Sequence, residues 1–174
     1  MTKGYSKVTK TLHWLIFLMV SAQYAVGEFM PHIGRDTPNA GLVTVHISLG
    51  GFTMLAVIAA IIVRFVSPVP QLPELPGWQR LAATVTHWSL YSLILVMTLL
   101  GWAATNSRGW AITLFGIDLP MVAAKGERWA HGAGDVHMLL VNILLALVAL
   151  HVGAALYHHF IRRDGVMKRI LPGG

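Results

Sequence analysis

The chain has 174 residues, of which 55% are apolar and only 11% are charged, against roughly 45–50% and about 25% in ordinary soluble domains. This composition excludes a soluble globular domain and a disordered chain, and the absence of cysteine excludes disulfides, iron–sulfur clusters and thiolate metal sites. A formal net charge of +6 in so apolar a chain indicates basic loops lying against an anionic membrane rather than nucleic-acid binding.

Four apolar stretches are long enough to cross a membrane, which takes about 20 mostly apolar residues in a helix. The predicted spans are Leu12–Phe29, Leu42–Val66, Leu81–Thr105 and Val136–Ile161. The first stretch contains Ser21, Gln23 and Glu28 and lacks a small-residue cleavage site, so we expect it to remain in the mature protein. The sequence therefore predicts one all-α domain, an integral membrane four-helix bundle.

The connecting segments predict how the bundle is oriented. Four prolines, at positions 68, 70, 73 and 76, predict an extended loop between spans two and three, and the mixed segment 106–134 predicts a second loop with room for one short surface helix. Cytoplasmic loops are enriched in Lys and Arg, and most of the 13 basic residues flank the two termini and the proline loop. Both termini are therefore expected in the cytoplasm. The basic residues expected outside are Arg35, Arg108, Lys125 and Arg128.

Histidines within the spans are functional candidates, because ionisable side chains are costly in a bilayer. His13 opens span one, His46 lies early in span two, and His137 and His151 lie in span four. The last two are separated by about 21 Å along the helix and lie within roughly 40° of one face. Imidazoles at two depths favour two haems, each held between facing helices, over a single zinc or copper ion.

The depth of each histidine predicts the pairing at one level and leaves it open at the other. His46 and His137 lie at similar depths near the outer surface, so they are the predicted ligands of an outer haem. At the inner level, either His13 or His87 is placed to face His151, and depth alone slightly favours His87.

Two glycines and two further histidines have both functional and structural interpretations. Gly50 and Gly134 follow His46 and precede His137 by about one helical turn. They would let a porphyrin approach the backbone, or they would serve helix packing. His158 and His159 are expected at the inner interface, as a basic helix end or as contacts for quinone or haem propionate.

Several segments resemble the bacterial cytochrome b561 family, and the resemblance covers nearly the whole chain. They are YSKVTKTLHWLIFLMV at the start, VHISLGG in span two, ATNSRGW after span three, and GDVHMLLVN and HVGAALYHHF in span four. The resemblance implies two b-type haems, one bound by His46 with His137 and the other by His13 with His151. It leaves His87 beside the inner haem or in a quinone site.

The resemblance also implies an activity, since the family includes a superoxide oxidase. That enzyme passes electrons from periplasmic superoxide through two haems b to ubiquinone in the inner membrane. The residues expected to recruit superoxide are Arg108 and Lys125, and those expected to contact quinone or propionate are His158, His87 and Arg64. Related proteins are haem-carrying membrane subunits of hydrogenases and formate dehydrogenases, and a third interpretation is a haemless membrane scaffold. The short segments that flank the spans favour a stand-alone enzyme.

Overall fold

The computed structural model describes residues 4–34, 36–67 and 75–172, so Arg35 and most of the proline loop lie outside the described residues. Within these residues, four helices are long and apolar enough to cross a membrane. They are α1 (Lys7–Phe29), α2 (Leu42–Val66), α3 (Gly77–Ser107) and α4 (Arg128–Leu156), and α4 continues in a π-helical turn, Tyr157–Arg162. The chain is therefore an all-α membrane bundle, as the composition and apolar stretches predict.

Helices α3 and α4 are longer than the predicted spans at the end of the bundle where the chain passes from α3 to α4. In particular, α4 begins at Arg128, inside the segment predicted as a loop. The added turns are stabilised by small side chains, because Ala130 and Ala133 of α4 are buried together with Ala103 of α3. Close contact between alanines of neighbouring helices is typical of membrane bundles. The connection between α3 and α4 is consequently shorter than the sequence indicates.

This connection contains a short antiparallel hairpin that the sequence does not predict. Its strands are β1 (Thr113–Leu114) and β2 (Ile117–Asp118), joined by Phe115 and Gly116, which both have positive φ. Leu114 is buried, and its side chain lies over Gly51 of α2, where an added Cβ would come within 2.9 Å of it. The hairpin therefore packs across one end of the bundle, which we call the hairpin end.

Consecutive helices pack side by side in the bundle. Its central core is small and consists of Val57, Ile94, Met97 and Leu144, from α2, α3 and α4. Helix α1 has no buried residue, and many large apolar side chains on all four helices are exposed. Such an apolar surface is the one that a bilayer would cover.

The opposite end of the bundle, which we call the terminal end, brings both ends of the described chain together. After the π-helical turn the chain reverses at Arg163, which has a left-handed conformation, and passes through a short 3₁₀ turn, Met167–Arg169. This C-terminal segment then lies against α1. Among the described residues, hydrogen bonds run to it from the Trp14 indole and the Lys10 ammonium of α1, to the carbonyls of Ile170 (3.0 Å) and Leu171 (3.0 Å). The amide of Tyr5, just before α1, donates to the Arg169 carbonyl (3.2 Å).

Candidate functional site

Two histidines from different helices face each other at the hairpin end. His46 of α2 and His137 of α4 have ring centres 6.2 Å apart, with the ring planes at 76°. The Nδ1–H of His137 donates to the backbone carbonyl of Met97 on α3 at 2.9 Å. Since a carbonyl only accepts, this bond assigns the proton to Nδ1 and leaves the Nε2 lone pair of His137 available to a metal.

The partner histidine is supported less completely. Nδ1 of His46 is buried and makes no hydrogen bond of good geometry within the described residues. The backbone carbonyl of Gln23 on α1 is nevertheless close enough to interact with the same ring. Three further buried polar atoms on helices of this bundle also have no hydrogen-bond partner in the described part of the chain, namely Gln23 Oε1, Gln79 Oε1 and Trp102 Nε1.

Three histidines meet at the terminal end. The rings of His13 and His151 have centres 6.1 Å apart, and the ring of His87 lies 5.1 Å from His151. His87 donates from Nδ1–H to the carbonyl of Ala83, one turn earlier in its own helix, at 2.5 Å. Arg64 is close enough to act electrostatically on His87. The structure thus brings together both candidate partners of His151, His13 and His87, of which depth alone slightly favoured His87.

The spacing of the imidazoles can be tested against a haem iron. Two imidazoles on opposite sides of one metal ion, each bound through nitrogen at about 2 Å, have ring centres roughly 6 Å apart. The His46–His137 and His13–His151 pairs both have this spacing, whereas His87 is closer to His151 than the arrangement requires. No group of three or more His, Cys, Asp or Glu in the described ranges forms a site for a bare metal ion. The residues therefore fit haem better than an isolated ion.

The two basic residues predicted to recruit an anion both lie at the hairpin end. Arg108 donates to the carbonyl of Gly34 at 2.8 Å and to that of Ile33 at 3.4 Å, and its guanidinium lies 5.6 Å from the centre of the Trp110 ring. It therefore ties the α1–α2 connection to the end of α3. The aliphatic part of Lys125 lies over Gly109, next to Arg108 along the chain.

A polar pair stands at the terminal end, in the turn that follows α4. His158 Nδ1–H donates to Oδ2 of Asp164 at 2.5 Å. Burial raises the pKa of Asp164, but the hydrogen bonds from His158 and from the Val166 amide outweigh burial and hold this pKa below its ordinary value. An adjoining cavity of about 240 Å³ is lined by His158, His159, Arg163, Gly165, Met167 and Lys168.

The two glycines singled out from the sequence face neighbouring helices. An added Cβ at Gly50 would lie 3.1 Å from the Gln23 amide, and one at Gly134 would lie 3.6 Å from Ala104. These contacts favour the helix-packing interpretation of both. Sequence reasoning missed Asn106, which is fully buried and holds the hairpin end through bonds to the Trp110 carbonyl and the Val122 amide. Its signal was a lone amide at the end of an apolar span.

Four spanning helices that carry paired imidazoles define a class of protein, the membrane haem proteins. A family model described as prokaryotic cytochrome b561 matches residues 4–173. The chain is 31% identical over 172 residues to cytochrome b561 homolog 1 of Escherichia coli K12, covering 97% of both proteins. It is 27% identical over 173 residues to the probable superoxide oxidase CybB of Yersinia pestis (99% of this chain, 98% of the relative) and to cytochrome b562 of Cereibacter sphaeroides (97% and 95%).

The chain belongs to the prokaryotic cytochrome b561 family. It is accordingly a multi-pass protein of the bacterial inner membrane, an oxidoreductase that carries b-type haem and transfers electrons.

Proposed function

We propose that this protein is a superoxide oxidase that carries electrons through two haems b to ubiquinone. The observation that supports this proposal most directly is the presence of two imidazole pairs with ligand spacing at opposite ends of one bundle, His46 with His137 and His13 with His151. The two histidines of α4 are about 21 Å apart along its axis. A bound haem at each level would supply one-electron redox chemistry in two steps across the membrane.

The hairpin end is proposed to face the periplasm and to receive superoxide, because most Lys and Arg residues belong to the opposite side. The cationic residues Arg108 and Lys125 lie at this end and would attract an anion locally. Each superoxide gives up one electron and leaves as dioxygen. Two such electrons, with two protons from the cytoplasmic side, convert one ubiquinone to ubiquinol.

The terminal end is proposed to bind ubiquinone in or beside the cavity that His158 and His159 line. Because His158 donates its Nδ1–H to the Asp164 carboxylate, its Nε2 lone pair can accept a hydrogen bond from a hydroxyl of the ubiquinol product. Arg64 lies close to His87 at this end and is the proposed contact for a propionate of the haem held by His13 and His151. His87, whose Nδ1–H is bound to the Ala83 carbonyl, is a proposed contact for a quinol hydroxyl through its Nε2 lone pair.

Stopped-flow mixing of the purified, haem-loaded protein with superoxide tests the proposal. We expect rapid haem reduction that slows as ionic strength rises, and slower reduction in Arg108→Gln than in the control Arg80→Gln at the other end of α3. Reoxidation by a water-soluble ubiquinone should slow in His158→Ala without any change in the superoxide step. If superoxide does not reduce the haems, the oxidase function is refuted.

A membrane anchor subunit is the second candidate. Two large side chains at the tip of the hairpin, Phe115 and Ile117, are 82% and 69% exposed, as a docking surface for a redox partner would be. In that case superoxide would not reduce the haems, and the protein purified in mild detergent would carry a second polypeptide. Recovery of a single polypeptide that superoxide reduces would exclude the anchor role.

A further inference from the structure

Gly101 lies directly against the ring of His137. An added Cβ at this glycine would be 3.4 Å from both Cε1 and Nδ1 of the imidazole. Met97, whose carbonyl accepts the Nδ1–H of His137, precedes Gly101 by four residues in α3. The hydrogen bond and the missing side chain are therefore one turn apart on the same helix face.

The same relation recurs between the other two helices. A Cβ added at Gly27 of α1 would lie 3.8 Å from Cε1 and 4.0 Å from Nδ1 of His46. Gln23, whose backbone carbonyl interacts with this ring, again precedes the glycine by four residues. Each histidine of the hairpin-end pair thus faces a carbonyl of a neighbouring helix, with a glycine four residues further along that helix.

Helix geometry explains the spacing. A carbonyl in an α-helix has two lone pairs, and the amide four residues later uses only one of them. The second lone pair is normally shielded, since helical side chains point back and cover the turn that precedes their own Cα. A glycine four residues after the carbonyl removes this cover, so that an imidazole from another helix can reach the oxygen.

We propose that Gly27 and Gly101 are positioning residues for the rings of His46 and His137. Each glycine lets the Nδ1 atom of one ring face a backbone carbonyl of the neighbouring helix, so that the Nε2 atom of that ring points into the bundle. The inference rests on the proposed role of these histidines as ligands of one haem. It assigns orientation of the ligands to the backbone of α1 and α3, the helices that carry no ligand of this haem. The bond from His137 is formed and the interaction of His46 is looser, so Gly101 should matter more than Gly27.

Valine substitutions test the inference, with haem content per chain and low-temperature electron paramagnetic resonance as readouts. In Gly101→Val, the affinity for the haem of the hairpin end should fall about 10- to 100-fold, the range typical of lost partners of metal ligands. Gly27→Val should have a smaller effect of the same kind, and the signal of the other haem should persist in both. The control is Gly132→Val in α4, because a Cβ at Gly132 meets no atom within 4 Å.

Each outcome decides a separate point. Wild-type protein with fewer than two haems would refute the ligand pairs of the proposed function, whatever the glycine variants do. If the wild type has two haems, an unchanged hairpin-end signal and haem content in both valine variants would overturn the inference. If Gly101→Val does not fold, Gly101→Ser decides, because a serine hydroxyl in a helix bonds the carbonyl four residues earlier, which here is the Met97 carbonyl that accepts from His137. A shifted hairpin-end signal in Gly101→Ser supports the positioning role, and an unshifted one overturns it.

Discussion

The two histidine sites differ in how the fold selects the interacting rings. At the hairpin end the rings of His46 and His137 form the one histidine pair among the described residues, and each ring faces a carbonyl of a helix other than its own. At the terminal end three rings meet, and His87 uses a carbonyl of its own helix. The comparison shows that a polar contact between helices can define a pair of rings, whereas in a crowded site small differences in spacing decide which two rings are proposed as ligands.

The largest effects are expected where the site has no alternative ring. His46→Ala and His137→Ala should each remove the same haem completely and leave the other in place. Haem content per chain and reduced-minus-oxidised spectra would measure this loss. The pairing is wrong if the two variants lose different haems.

The terminal end offers a sharper test, because two rings compete for one position. His13→Ala should abolish binding of the terminal-end haem, whereas His87→Ala should retain it with a modest spectral shift, since only the His13–His151 spacing suits opposite sides of one iron. The same spectra on both variants decide the matter. Loss of this haem from His87→Ala and its retention in His13→Ala would reverse the assignment.

Labelling of introduced cysteines would show on which side of the membrane each end of the bundle lies. The cysteine substitutions themselves should have little effect on the stability of the protein. Cysteines at Lys7 and Lys168 should be protected from an impermeant reagent in intact cells, and cysteines at Thr37 and Gly126 should react, because most basic residues flank the terminal end. The native chain has no cysteine and serves as the blank. The opposite labelling pattern would show that the terminal end faces the periplasm, contrary to the prediction.

The smallest effect concerns the turn after α4. The pKa of Asp164 is held below its ordinary value, so its charged form stabilises the fold fully above the unfolded pKa of about 3.9, and this stabilisation is lost as the pH falls through the lower folded pKa. Asp164→Asn should therefore lower the unfolding temperature at pH 7 by about 2–4 °C, the shift that roughly 1 kcal/mol produces in a chain of this size.

The unfolding temperatures of wild type and Asp164→Asn can be measured at several pH values from the loss of the Soret band on heating. The gap between wild type and Asp164→Asn should narrow below about pH 4. Asp135→Asn, at an exposed position of α4, is the matched control and should show no such gap. A difference that is independent of pH would contradict the role of the carboxylate charge.

The features that could be predicted from the sequence depend on properties of one segment at a time. Length and apolarity identify the four spanning helices, and the 14-residue separation of His137 and His151 places two imidazoles on one face whatever the neighbouring helices do. The hairpin was missed because each of its strands has only two residues, too few for an alternation to be visible.

The rest depends on how the helices are rotated about their axes. Gly50 and Gly134 were chosen because they are near histidines of their own helix, yet the glycines that touch the rings, Gly27 and Gly101, belong to the facing helices. No spacing within one helix reports which residue of another helix lies opposite. The choice between His13 and His87 was open for the same reason, because a difference of about 1 Å is smaller than depth arithmetic resolves.

The hydrogen bonds between α1 and the C-terminal segment have a consequence for biogenesis. A ribosome delivers α1 to the membrane first, yet Trp14 and Lys10 obtain their carbonyl partners only when Ile170 and Leu171 emerge. His13 likewise waits for His151, whereas His46, His137 and the Gln23 and Met97 carbonyls that they face are all translated before the last turns of α4. The two rings of the hairpin end can thus come together while the rest of the chain is still being translated. The terminal-end site is completed last.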